Sequence, residues 1–196
     1  MAYLRSFLPW IAVSALIGSI DIRYALLAGF ALAVVLAAGQ RRAGRAWDAL
    51  VIEVSAGAYF AVATAAAFAA PGSDTVAHYA SAGASLWLAL VAWGSIVIGR
   101  PFTLGIAKTQ VPEELWGNPV FKRVNVVISA VWAASFTVSG IGTAWLRHAR
   151  PEDGTARTVL TVVCLVLPIL FTVRYPEIAR SRAATAAAAA RNGADK

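Results

Sequence analysis

One cysteine, one methionine and two histidines leave this chain of 196 residues little with which to hold a metal ion or a disulfide. Cys164 lies in an apolar run and has no partner for an intrachain bridge, so thiolate clusters are excluded and the redox compartment is unreadable. His78 and His148 fall in separate connections near Asp74, Glu152 and Asp153, without ligand spacing, so no metal is expected. Charge is scarce too, with Asp, Glu, Lys and Arg making up 14% of the chain. The net charge of +7 does not point to nucleic acid, because the basic residues are split into short clusters between apolar runs and form no continuous face. No phosphate loop, serine elbow, zinc signature or dinucleotide fingerprint is present, so neither an enzyme activity nor a cofactor is expected.

What the chain has instead is apolar side chains: 59% of residues, with a mean hydropathy of +0.68. Soluble domains carry about 45–50%. Burying this excess in water would leave a surface that the few charged residues could not cover, so the solvent must be lipid. Six apolar runs follow one another: Phe7 to Ile20, Tyr24 to Gly39, Trp47 to Ala70, Tyr79 to Ile98, Val124 to Leu146 and Thr158 to Val173. The expected fold is all-α, a polytopic transmembrane bundle of about six spans. At 14 residues the first run is short for a crossing of about 20. It must recruit Met1 to Ser6, thin the bilayer, or stay re-entrant and leave five spans. The lack of a small-x-small cleavage site argues against a signal peptide. With both termini cytoplasmic, thirteen of the seventeen basic residues fall inside, leaving Arg23, Arg147, Arg150 and Arg157 outside. Residues 1–176 form the bundle, and 177–196 an alanine-rich basic tail, either a fraying helix drawn to anionic lipid or a disordered segment.

Between the fourth and fifth runs, Gly99 to Trp132 reads as a polar, turn-rich cytoplasmic connection. Gly99-Arg100-Pro101 should stop the helix before it. Pro112, Glu113 and Glu114 read as one helical turn closed by Gly117-Asn118-Pro119, with Trp116 at the headgroup level. Pro101, Phe102 and Trp116 are therefore candidates for contact with a partner on that side.

Glu53 is the sharpest candidate for chemistry. A carboxylate inside an apolar run costs several kcal/mol unless it faces a cavity or a partner. Either it lines a ligand or ion pathway, or it pairs with Arg41, Arg42, Arg45, Lys122 or Arg123. Asp48 reads as a helix-dipole complement. Asn125 suits a hydrogen bond between helices or a ligand contact, with packing the plainer role. Arg100 and Arg123 complete the pathway candidates. Small residues on the later helices, among them Ser85, Ser129, Ser135 and Ser139, read as surfaces for close helix packing. Trp10, Trp47, Trp116 and Trp145 fit an interfacial belt, while Trp87, Trp93 and Trp132 read as packing residues.

Phe7-Leu8-Pro9 opening a short first run, Asp21-Ile22 before the second, Arg41-Arg42, Gly99 to Leu104 after the fourth, and Phe121-x-Arg123-x-Asn125 leading to Trp132 together resemble the intracellular septation protein A family. The likeness covers most of residues 7 to 146. It implies a multi-pass bacterial inner-membrane protein without established catalytic residues, supporting the envelope or division through other membrane proteins, with homo-oligomerisation left open. The Thr109 to Pro119 loop, the last span and the basic tail depart from that pattern. Two other readings stand beside it: a small-solute or ion transporter or channel using Glu53, and a lipid-handling protein.

Overall fold

The computed structural model describes residues 6–71 and 74–194. Expectations for Met1–Arg5, Gly72–Ser73 and Lys196 lie outside the described residues. The elements are α1 (Leu8–Leu16), α2 (Ile22–Arg42), a 3-10 turn (Trp47–Ala49), α3 (Val51–Ala69), α4 (Asp74–Val97), α5 (Phe102–Lys108), a second 3-10 turn (Glu113–Leu115), α6 (Pro119–Ala149) and α7 (Gly154–Ala194). Among the described residues there is no strand. Five helices are long and apolar enough to cross a membrane, those beginning at Ile22, Val51, Thr75, Pro119 and Gly154. Their outer faces carry Val35, Val62, Leu90, Ile141 and Leu170 uncovered. In water that would be costly; against lipid it is the expected surface.

The first apolar run supplies the departure. It forms a helix of only 9 residues, about 14 Å long against a hydrocarbon core of about 30 Å. α1 packs one face, Pro9, Trp10 and Val13, against the bundle and leaves Leu8 and Ile11 exposed, its Trp10 ring 4.8 Å from Phe60 and 5.3 Å from Tyr59. Phe7, just before it, stacks on Trp132 at 5.0 Å.

Local chemistry sets the helix ends. Asp21 caps α2 by accepting from the Arg23 backbone N–H at 2.9 Å, and its carboxylate also takes the Arg23 guanidinium at 2.7 Å. These two hydrogen bonds, the side-chain one foremost, hold the Asp21 carboxyl down from 3.8 to about 2. The pair therefore stays charged far below neutral pH. Asn118 caps α6 in the same way through the Val120 N–H, with Pro119 in the first turn. Gly99 ends α4 at φ +76°, a left-handed conformation that costs glycine nothing.

The connection differs from the sequence reading, and the tail takes the helical one of its two alternatives. The Gly99 to Trp132 connection holds a buried helix, α5, packed between the Trp47–Ala49 turn and α6. α7 continues unbroken through the boundary expected at residue 176, for 41 residues, about 60 Å. Pro168 and Pro176 lie inside it. Proline lacks an N–H, so Pro168 leaves the Cys164 carbonyl without its helical donor. Ser135 of α6 supplies one, its hydroxyl donating to the Cys164 oxygen at 2.7 Å. A neighbouring helix thus satisfies the group that the proline orphans, as a spanning helix requires. Ser135→Ala is expected to cost about 1 kcal/mol of bundle stability. In a Pro168→Ala background the same change should cost almost nothing, because residue 168 then donates to Cys164 itself. A double-mutant cycle in a detergent unfolding titration reads the difference.

Candidate functional site

α2 and α3 form a hairpin whose connection, through Gly44 and the Trp47–Ala49 turn, returns the chain immediately. Gln40, near the end of α2, is therefore set against Glu53 in the first turn of α3. The third component comes from the other direction. With Phe7 on Trp132 and Trp10 on Phe60, α1 is fixed so that Ser6 reaches the same carboxylate.

Glu53 is only 1% exposed. Its Oε1 accepts from the Ser6 hydroxyl at 2.7 Å and from the Gln40 amide at 2.5 Å. Oε2 is buried and has no hydrogen-bond partner. The ion pairs among the described residues are Asp21 with Arg23 and Asp48 with Lys108, the latter at 3.3 Å. None of the cations considered for Glu53 is bonded to it. Two neutral donors hold one oxygen, while the other is left buried without a partner.

What lies beside it is a groove of about 420 Å³ between α2 and α3. Ala33, Ala37, Gly57 and Ala58 leave its floor shallow-sided and apolar, and Arg41, Trp47 and Glu53 contribute its polar groups. The Arg41 guanidinium lies 5.2 Å from the Trp47 ring centre and donates to the Arg45 carbonyl at 3.1 Å. At the other end of the same hairpin, a second groove of about 350 Å³ is lined by Asp21, Arg23, Ala67, Pro71 and Val76.

The other pathway candidates are placed elsewhere. Asn125 is 2% exposed, but it belongs to the joint between α5 and α6. Its amide donates to the Phe121 carbonyl at 2.9 Å, its own carbonyl accepts from the Thr103 hydroxyl at 3.0 Å, and Thr103 and Ser129 share a hydrogen bond of 2.8 Å. Its side-chain oxygen has no partner. Arg100 and Arg123 are exposed and line neither groove. Of the three residues considered for contact with a partner, Pro101 and Phe102 are buried, Phe102 at 1% exposure. Buried residues offer a partner no surface. Trp116 is half-buried, with the Lys108 ammonium 5.2 Å from its ring centre.

Sequence reasoning missed Gln40, Ser6 and Thr103. Gln40 stands directly before Arg41-Arg42 and reads as part of a basic helix end. Only the hairpin geometry turns it inward. No family model, curated protein or solved structure matches this chain.

Proposed function

We propose that this chain is a non-enzymatic, multi-pass protein of the bacterial inner membrane, both termini cytoplasmic, that takes up a ligand at Glu53 from the α2–α3 groove. The observation that supports this reading is the buried Oε2 of Glu53, which has no hydrogen-bond partner. A charge so placed needs a compensating group, and the two donors on Oε1 supply only part of it. The basic ends of α2 and α7 support a cytoplasmic position for the groove's polar mouth by the positive-inside rule. Handling of a small solute, ion or lipid at Glu53 fits this better than a partner surface, since Pro101 and Phe102 are occupied in packing. A scaffold role in the envelope or division, which the septation-protein resemblance implies, retains Trp116 as its contact residue.

A hydrophobic carbodiimide, which reaches carboxyl groups from the lipid phase, tests the proposal. Protein in vesicles is expected to be modified at Glu53, located by peptide mass spectrometry. An extract of the native membrane, or its water-soluble fraction, should slow the reaction by occupying the groove. An unchanged rate with both fractions sinks the reading. Glu53→Gln should abolish labelling at that site while leaving the helical content intact.

A further inference from the structure

Glu53 and Arg41 are the two charged residues lining the α2–α3 groove, and no ion pair joins them. The rest of the lining is apolar, from Phe30 and Ala33 at one end to Trp47 at the other. Each charge is held from a different side. Ser6 and Gln40 fix the Glu53 carboxylate and leave Oε2 free. Trp47 and the Arg45 carbonyl fix Arg41, using one of its five N–H donors. A groove with one anion, one cation and an apolar trough complements a molecule carrying the opposite charges in the same order, followed by a hydrocarbon chain. Its volume of about 420 Å³ suits a headgroup with part of one chain.

From this arrangement we infer that the groove binds a membrane phospholipid with a primary-amine headgroup. The inference rests on the proposed ligand role of Glu53. The phosphate takes the guanidinium of Arg41, which suits a phosphate's paired oxygens. The ammonium donates to Glu53 Oε2, and one acyl chain lies over Ala33 and Ala37. Trp47 is a residue type that settles at the headgroup level, and Arg41 is its stacking partner, so the phosphate stays at its ordinary depth. Only the amine has to reach inward. A choline headgroup has no N–H to donate to Oε2, and a glycerol headgroup has no positive charge. The carboxylate therefore selects among lipids that Arg41 alone would accept equally.

The test is native mass spectrometry of the full chain released from vesicles of equal parts phosphatidylethanolamine, phosphatidylcholine and phosphatidylglycerol. Wild type is expected to retain the ethanolamine lipid over the other two by about tenfold, the value of one hydrogen bond to a charged group. Glu53→Gln should still bind lipid but lose the discrimination. Glu53→Asp, which keeps the charge on a shorter stem, should keep the preference at reduced strength. Arg41→Gln should lower retention of all three. Circular dichroism confirms that each variant is folded. Equal retention by wild type, a preference for phosphatidylglycerol, or a preference that survives in Glu53→Gln overturns the inference. If Glu53 is protected from carbodiimide by water-soluble extract while no lipid preference exists, the lipid inference falls and the ligand role of Glu53 stands. If neither extract nor lipid protects it, both fall.

Discussion

Trp132→Ala should lower the stability of the bundle by about 3 kcal/mol or more, read as a shift in a detergent unfolding titration. Trp132 is 1% exposed. Its ring stacks on Phe7 at 5.0 Å and meets Phe136 at 5.3 Å, and its Nε1 donates to the Thr172 hydroxyl at 3.0 Å. Three segments of the chain therefore meet on one side chain. In a membrane the loss does not come from exposing the ring to water, because lipid is as apolar as the core. It comes from the contacts that vanish when a large ring leaves a cavity its neighbours cannot fill. Trp132→Phe separates the terms. It keeps a ring between Phe7 and Phe136 and removes the bond to Thr172, for about 0.6–1.7 kcal/mol, together with the packing of the indole's extra atoms. A Phe variant as damaged as the Ala variant would show that the hydrogen bond, and not the stacking, fixes the N-terminal segment.

Gly105→Ala is expected to displace α5 from the Trp47–Ala49 turn. A Cβ at position 105 would fall onto the backbone carbonyl of Asp48 and within 2.8 Å of the Ala49 nitrogen. Backbone cannot rotate aside as a side chain can, so the two elements must separate. Overpacking of this kind costs about 1–3 kcal/mol, with the upper end expected where the obstacle is main chain. The separation should also break the Lys108–Asp48 pair and loosen the seat of the groove, since Trp47 belongs to the same turn. Limited proteolysis after Lys108 is the direct measurement. Cleavage should rise several-fold in Gly105→Ala and stay at the wild-type level in Gly94→Ala, where an added Cβ meets nothing within 4 Å. Equal cleavage in all three proteins would show that α5 is not held by that contact.

The five long helices were readable because a lipid-crossing segment must be continuously apolar, and few soluble patterns imitate that. α5 was not readable. Thr103, Gly105 and Lys108 give it the composition of a connection, and its burial depends on hydroxyl partners in α6 that lie far away in sequence. The helical tail was one of two alternatives the composition left open, since alanine favours a helix while Pro176 argues for a break before it. At the site, Glu53 stood out because one acid in an apolar run is costly. Its two donors did not, since a serine and a glutamine have no such cost until the fold carries them inward. Arg41 was one of five cations that the sequence offered Glu53 as an ion-pair partner, and the hairpin sets it in the same groove without pairing the two.

The short α1 has a consequence for biosynthesis. During synthesis this helix leaves the ribosome before every element it packs against. At 9 residues it is too short to hold itself across the bilayer. Its seat is built from Phe60 in α3 and, through Phe7, from Trp132 and Phe136 in α6. Until α6 has been inserted, Phe7 has nothing to stack on, and Glu53 waits in α3 without Ser6. This segment, made before the elements it packs against, therefore docks late, and its arrival brings the Ser6 hydroxyl to the carboxylate.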